Sequence, residues 1–220
     1  GNTWDQNNSP AWNVDLTELS LESIERIRVT GYQTGHFWAY PTEFVLTADQ
    51  LSALTSTSGL RAVAIKGGGT VDLAHLASIG VTTWRIGDDA AYTIIGTGSG
   101  DVVTLGEGET TVSMGAGSDT IKIVDKSLVT DTIDGGDGLD TLTLVSGNID
   151  LSGATLANIE RILVSADSLA MSQSQWDEFG DIVVASSSAN PAFTLALDSS
   201  GFYTLDADSK FEGLSGAAGN

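Results

Sequence analysis

The amino-acid sequence predicts an all-β fold, a parallel β-solenoid with short helices in its flanking repeats. Glycine is abundant and proline is scarce, with 26 and 3 residues respectively, which is typical of a regular fold with many tight turns. Apolar residues occur in short runs separated by glycine or aspartate, a pattern that indicates short strands rather than long helices. One phrase recurs in both halves of the chain, and a nine-residue period fills the centre. Stacked repeats of this kind bury a continuous core that no single repeat forms alone.

The composition excludes several classes of partner and site. The chain has 220 residues, of which 29 are acidic and 9 are basic, for a formal net charge of -20. Nucleic acids and anionic membranes are therefore not expected as partners, because both require basic patches. Cysteine is absent, which removes disulfides, zinc–thiolate sites and thiol nucleophiles. No apolar run reaches about 18 residues, so no membrane insertion is expected.

The two flanks of the chain carry related repeats. The phrase Asp15–Val29 recurs without a gap as Asp150–Val164, 135 residues later, and a shortened copy covers Asp72–Ile79. Glu25 and Glu160 occupy equivalent positions in the two copies, and each is followed by Arg-Ile. A residue that repeats in this way is expected to have a structural role, such as an ion pair or a turn contact.

A short helix is predicted after each full copy of the phrase. Thr47 with Gln50, and Ser172 with Gln175, have the spacing of a capping box, in which the two side chains satisfy each other's backbone amides. These two helix starts are only 125 residues apart. The first copy therefore contains an insertion of about ten residues relative to the second, which we place at Gly31–Pro41.

The centre of the chain has a period of nine residues. Three units begin at Gly96, Leu105 and Met114 without gaps, and after a looser stretch at 123–134 a fourth unit begins at Gly135. In each unit six residues form a turn and three form a strand, with glycine supplying the positive φ angles of the turn. An apolar side chain at the eighth position is expected to point into the core, and these residues are Val103, Val112, Ile121 and Leu142.

The spacing of three aspartates predicts two calcium sites on one side of the solenoid. One unit forms half a coil, so Asp101 and Asp119, which are 18 residues apart, lie on the same side. Asp140 joins them if residues 123–134 form one enlarged half-coil. Ca²⁺ takes about six to eight oxygen ligands from carboxylates and backbone carbonyls. The candidate ligands lie in the glycine turns, at Gly96, Gly98, Gly100, Asp101, Gly115, Gly117, Asp119, Asp134, Gly136, Asp137, Gly138 and Asp140.

The opposite side of the solenoid is a weaker candidate. There Thr110 stands where the pattern calls for aspartate. We expect either a weaker ion bound through Glu107 or Glu109, or none.

The central units resemble the repeats-in-toxin family, the hemolysin-type calcium-binding repeats of bacterial proteins. The flanking phrases also look like the degenerate stretches of large members of that family. The resemblance implies a right-handed parallel β-roll, secretion by a one-step (type I) exporter, and folding on contact with external calcium. It therefore implies an extracellular or bacterial cell-surface location. Only the unit Gly135–Thr143 is perfect and the tandem is short, so we expect a calcium-bound middle (96–143) between metal-free flanks (1–95 and 144–220), forming one continuous unit.

The insertion offers a separate candidate surface. Its aromatic content is compatible with a platform for a sugar ring or a partner protein, and equally with a cap over the open end of the solenoid. The residues that would form the platform are Tyr32, His36, Phe37, Trp38 and Tyr40.

No enzymatic motif is apparent in the sequence. His36 and His75 lack the spacing of a zinc hydrolase, no Gly-x-Ser-x-Gly elbow occurs, and the glycines at 67–69 are not followed by the lysine of a phosphate loop. We therefore expect a calcium-stabilised structural or adhesive module of a secreted bacterial cell-surface or matrix protein, such as an adhesin or surface-layer protein. Two alternatives are a non-catalytic folding and export region of a type I-secreted enzyme, and a carbohydrate-binding module that uses the insertion. Self-association is a further possible partner interaction.

Overall fold

The computed structural model describes residues 13–18, 26–28, 32–34, 37–39, 43–124, 128, 130–166, 168–172, 174–175, 181–184, 194–197 and 211–212. Short strands dominate these residues. In chain order the strands are β1 (Asn13–Asp15), β2 (Arg26–Arg28), β3 (Tyr32–Thr34), β4 (Phe37–Ala39), β5 (Glu43–Thr47), β6 (Ser56–Ser58), β7 (Ala62–Lys66), β8 (Gly69–Asp72), β9 (Thr83–Ile86), β10 (Tyr92–Ile95), β11 (Val102–Thr104), β12 (Thr110–Ser113), β13 (Thr120–Val124), β14 (Thr132–Asp134), β15 (Thr141–Ser146), β16 (Asn148–Asp150), β17 (Thr155–Ala157), β18 (Arg161–Val164), β19 (Ser168–Met171), β20 (Asp181–Val184), β21 (Thr194–Leu197) and β22 (Phe211–Glu212). Two helices accompany them, α1 (Ala48–Ala53) and α2 (Leu73–Ser78).

The strands stack as a parallel β-solenoid, which confirms the predicted fold class. The main sheets have the strand orders β1-β5-β7-β9, β17-β14-β12-β10-β8, β11-β13-β15-β18-β20-β22 and β16-β19-β21, and their neighbouring strands run parallel. In these four sheets, paired strands are not consecutive in sequence, because the chain passes through another face between them. The sheet from β8 to β17 contains strands from the N-terminal flank, from the centre and from the C-terminal flank. These three segments are therefore joined by backbone hydrogen bonds.

The core lies between the sheets and consists of apolar ladders. Val103 pairs in register with Ile121, Ile121 with Leu142, and Leu142 with Ile162, and all four are fully buried. The predicted inward position is confirmed for these strands and for Val112, which is 1% exposed. Burying each such side chain stabilises the fold by about 1.5–3 kcal/mol.

The internal repeat is visible in matching hydrogen bonds. The Thr47 backbone amide donates to Gln50 Oε1 (2.8 Å) and the Gln50 amide donates to Thr47 Oγ1 (3.1 Å), which is the predicted capping box. Gln50 Nε2 also donates to the carbonyl of Leu16 in the preceding coil (2.8 Å). The second copy repeats all three contacts with Ser172, Gln175 and Leu151.

Strand register gives the same repeat. Asn13 pairs with Glu43 between β1 and β5, and the equivalent residues Asn148 and Ser168 pair between β16 and β19. The shortened copy differs, because its residues form α2, whose first turn is capped by Asp72. The Asp72 carboxylate accepts a hydrogen bond from the His75 amide at 3.0 Å.

The insertion in the first copy forms a β-hairpin. Strands β3 and β4 pair antiparallel, with Gln33 opposite Trp38, whereas the other strand pairs of the described chain are parallel. His36 and Tyr40 lie outside the described residues. The insertion therefore adds a hairpin to the coil, and its use as a cap or as a binding platform stays a prediction. Neither α1 nor α2, the helices of the described chain, is long and apolar enough to cross a membrane.

Candidate metal centre

Three of the four glycine turns of the central repeats lie on one edge of the solenoid. Residues 96–101 connect β10 to β11, residues 114–119 connect β12 to β13, and residues 135–140 connect β14 to β15. The looser stretch Ile123–Asp134 contains β14, which pairs with β12 on the other face. It is therefore one enlarged half-coil, and the three turns stack as the 18-residue repeat predicts.

Backbone hydrogen bonds hold the turns against one another. The Ala116 amide donates to the carbonyl of Thr97 (3.3 Å), and the Asp137 amide donates to the carbonyl of Gly115 (2.8 Å). The Gly117 amide returns a bond to the carbonyl of Asp137 (2.8 Å). The turns therefore continue the parallel pairing of the strands around the edge.

Glycine is required where the turns approach most closely. Gly117 has φ +137°, and a Cβ built on it would lie 2.6 Å from the Gly100 amide nitrogen. Gly138 has φ +149°, and its Cβ would overlap the carbonyl oxygen of Gly117. Gly98 is different, because a Cβ there would meet nothing within 4 Å. The other predicted turn glycines contact the adjacent turn in the same way, and these are Gly96, Gly100, Gly115 and Gly136.

The aspartates of these turns form a hydrogen-bonded ladder. The Asp101 amide donates to Asp119 Oδ1, and the Asp119 amide donates to Asp140 Oδ1, each at 2.7 Å. The Asp140 amide continues the series by donating to Glu160 Oε2, also at 2.7 Å. The carboxylates of Asp119, Asp140 and Glu160 thus each contact the backbone of the preceding coil. The acidic side chains therefore lie in one row along the solenoid.

Two carboxylate oxygens in this ladder are buried without a hydrogen-bond partner. They are Oδ2 of Asp119 and Oδ2 of Asp140, in residues that are 1% and 0% exposed. Asp101 differs, because its Oδ2 accepts from the amide (2.7 Å) and hydroxyl (2.8 Å) of Thr97. An unsatisfied buried acceptor costs about 1–3 kcal/mol, and more when it is charged. An electropositive partner at these two oxygens would therefore stabilise the folded chain.

The surroundings disfavour the ionised form of both buried aspartates. Burial raises the pKa of Asp119, the Asp101 carboxylate raises it further, and the hydrogen bond from the Asp101 amide acts against both. Burial likewise raises the pKa of Asp140, with added repulsion from Asp119, Glu160 and Asp134. A carboxylate in such a position is neutralised by a proton or by a cation.

Two further predicted ligands, Asp134 and Asp137, occupy different positions. Asp134 Oδ1 accepts from the Gly136 amide (3.1 Å) and from Asn158 Nδ2 (2.7 Å), so this carboxylate is held beside Asp140 by its own turn and the next. Asp137 is exposed at the outside of its turn. The structure therefore brings Asp134 to the ladder and leaves the Asp137 side chain towards solvent.

The opposite edge contains a carboxylate that the sequence reasoning missed. The amide of Thr110, which is 2% exposed, donates to Asp131 Oδ1 at 2.8 Å, and Asp131 is also 2% exposed. Glu107 and Glu109 are exposed. The signal was present, because the sequence from Asp131 reads Asp-Thr-Ile, as does the sequence from Asp119.

Side chains alone do not make a complete metal site here. Within the residues that the structure describes, no group of three or more His, Asp or Glu side chains converges closely enough to hold an ion. A cation at the aspartate ladder would therefore draw further oxygens from turn carbonyls, a donor set that suits a hard ion such as Ca²⁺.

His75, the histidine of the shortened repeat copy, lies in a different part of the molecule. It borders a cavity of about 390 Å³ between α1 and α2, together with Asp49, Ser52 and Asp72. The His75 Nε2 atom lies 3.0 Å from the carbonyl oxygen of Leu51. His75 therefore links α2 to α1.

Comparisons of the chain with protein-family models, with curated proteins and with solved structures find no match. The fold and the aspartate ladder therefore carry the functional argument.

Proposed function

We propose that this chain is a calcium-stabilised structural or adhesive module of a secreted bacterial cell-surface or matrix protein. One observation supports the metal most directly, namely the partnerless buried Oδ2 atoms of Asp119 and Asp140. In the proposal one Ca²⁺ lies between the turns of Asp101 and Asp119, and a second lies between those of Asp119 and Asp140. The resemblance of these turns to hemolysin-type repeats supports the same assignment.

Electrostatics explains why the ion would stabilise the fold. The chain has a formal net charge of -20, and folding adds local repulsion by stacking carboxylates in neighbouring coils. Parallel strands are about 4.8 Å apart. Ionised side chains stacked in successive coils therefore repel one another strongly when they are removed from water. A divalent cation cancels this repulsion only in the folded state, and its binding energy then adds to the free energy of unfolding.

The position of the ladder favours a structural role for the ion. The aspartates lie between coils that share backbone hydrogen bonds, and the two with partnerless oxygens are almost fully buried. An ion held there ties successive coils together. The donor set also favours Ca²⁺ over Mg²⁺, because Mg²⁺ requires a tighter octahedron and keeps most of its waters.

We place the module outside the cell, in keeping with the family resemblance. Ca²⁺ sites of extracellular modules have dissociation constants of about 0.1–1 mM. Sites of that affinity are filled in external medium and empty in cytosol, so folding would follow export.

Calcium titration tests the proposal. The metal-stripped chain is titrated with CaCl₂ by calorimetry, and its thermal unfolding is followed by circular dichroism with Ca²⁺, with Mg²⁺ and with chelator. We expect at least two bound calcium ions and a large rise in melting temperature, with a smaller effect of Mg²⁺.

A pair of variants identifies the site. The double variant Asp119→Asn/Asp140→Asn should lose this calcium response, whereas Asp89→Asn, a single charge removal at an exposed turn residue, should retain it. Unchanged melting of the unmodified chain after chelation would overturn the proposal.

A further inference from the structure

The acidic ladder extends one coil beyond the glycine turns. Glu160 Oε2 accepts a hydrogen bond from the Asp140 amide at 2.7 Å, across a separation of 20 residues. This is the same contact, at the same distance, that Asp119 makes with the Asp101 amide. Glu160 belongs to the flanking repeat and lies outside the nine-residue pattern, so the spacing of the aspartates gives no reason to include it.

The backbone confirms that Glu160 occupies the ladder position. The Arg161 amide donates to the carbonyl of Asp140 (3.1 Å), just as the Thr141 amide donates to the carbonyl of Asp119 (2.9 Å). Strands β15 and β18 then continue in parallel register from Thr141 opposite Arg161. The Glu160 carboxylate is therefore stacked on Asp140 as Asp140 is stacked on Asp119.

A second observation places oxygen atoms around one point beside Asp140. A Cβ built on Gly135 would lie 2.8 Å from Asp140 Oδ2 and would also overlap the carbonyl oxygen of Asn158. Both oxygens therefore border the side of Gly135 that carries no side chain. Asp140 Oδ2 is the partnerless atom of a residue with 0% exposure.

The turn that supplies the Asn158 carbonyl is held in place. Asn158 has a positive φ of 52°, and its Nδ2 donates to Asp134 Oδ1 at 2.7 Å. The Gly135 amide donates to the carbonyl of Ala157 at 3.0 Å. This turn thus packs on the Gly135–Asp140 turn as a fixed neighbour, although it lacks the glycine pattern.

We propose that Asp140, Glu160 and the carbonyl of Asn158 form a third calcium position, at the junction of the central repeats with the C-terminal flank. The proposal rests on the calcium function proposed above and adds to it a binding position outside the nine-residue repeats. Its donors are two carboxylates and a carbonyl, which are hard oxygen ligands suited to Ca²⁺. Asp140 would then be shared by two ions, one on each side of its turn.

Calorimetric titration of the full chain with CaCl₂ tests this position through Glu160→Gln. Glutamine keeps an oxygen that accepts from the Asp140 amide and removes the charge, so the fold is retained while a ligand is weakened. We expect Glu160→Gln to bind one calcium ion fewer than the unmodified chain. The matched control is Glu25→Gln, since Glu25 precedes the same Arg-Ile pair 135 residues earlier, and it should retain the full number.

A second pair of variants gives an independent count. Asp101→Asn removes a residue of one proposed position and should lose one ion, whereas Asp140→Asn removes a residue of two positions and should lose two. If Glu160→Gln does not fold, the comparison of Asp101→Asn with Asp140→Asn still tests the third calcium position. Equal losses from Asp101→Asn and Asp140→Asn, or an unchanged count in folded Glu160→Gln, would overturn the third position while leaving the calcium function intact. A complete lack of calcium binding by the unmodified chain would overturn both.

Discussion

Replacing Asp119 with asparagine should change stability in opposite directions with and without calcium. Asparagine keeps an oxygen that accepts from the Asp101 amide, the contact that Asp119 Oδ1 makes at 2.7 Å. The substitution removes the negative charge and puts an uncharged amide nitrogen where Asp119 Oδ2 lies buried without a partner. Without metal the variant should therefore be more stable than the unmodified chain, by about 1–3 kcal/mol.

The effect with calcium follows from the position of Asp119 in the middle of the ladder. At a calcium concentration about 100 times the dissociation constant, each site adds about 2.7 kcal/mol to the free energy of unfolding. Asp119 belongs to two proposed sites, so its replacement should remove about 5 kcal/mol of calcium stabilisation. After the gain of the metal-free variant is subtracted, the net loss in saturating calcium is about 2–4 kcal/mol. For a chain of this length that net loss corresponds to a melting temperature lower by roughly 5–15 °C.

Differential scanning calorimetry in chelator and in excess calcium measures both effects. Asp89→Asn makes the same charge change at an exposed residue and should shift the melting temperature little in either condition. A fall in melting temperature of Asp119→Asn under both conditions, or a rise under both, would contradict the reasoning, because a merely structural hydrogen bond predicts the same sign in each.

Three further predictions concern the turns, the titration of the ladder and the repeat contact. Gly138→Ala should lower the free energy of unfolding by about 2 kcal/mol or more because of its positive φ and the close carbonyl of the neighbouring turn, whereas Gly98→Ala should cost less than about 0.5 kcal/mol. Urea denaturation would measure both. Because the pKa values of Asp119 and Asp140 are raised, the metal-free folded chain binds more protons than the unfolded chain above about pH 4. Its stability should therefore fall as pH rises from there through the raised pKa values, and calcium should reverse the fall, as melting curves at successive pH values would show. Gln50→Ala should cost about 1–2 kcal/mol in urea denaturation, because it removes the capping box and the tether to the preceding coil; an unaffected midpoint would show that the tether carries no stability.

The periodic parts of the fold could be predicted because their physics is local. A nine-residue unit with glycine in the turn and an apolar residue at the eighth position specifies its own strand and turn. The buried ladder of Val103, Ile121 and Leu142 and the stacking of the three aspartate turns followed from counting residues. The capping boxes were equally local, since Thr47 and Gln50 satisfy each other within one helical turn.

The irregular parts depend on contacts that sequence spacing does not reveal. Asp131 lies within the stretch where the nine-residue period is lost, so its contact with the Thr110 amide is revealed only by the fold of that half-coil. Glu160 sits in a phrase without turn glycines, and only the register of β18 against β15 brings it to Asp140. The hairpin in the insertion is antiparallel, and the parallel repeat does not predict this pairing.

The uninterrupted sheet from β8 to β17 has a consequence for the order in which the coils would fold. In a solenoid each coil offers its neighbour a template of free backbone groups, and folding that starts at one coil can spread along the axis. The five strands of this sheet join the central coils to both flanks without a gap. Ordering of the central coils would therefore start growth in both directions along the axis, towards β8 and towards β17.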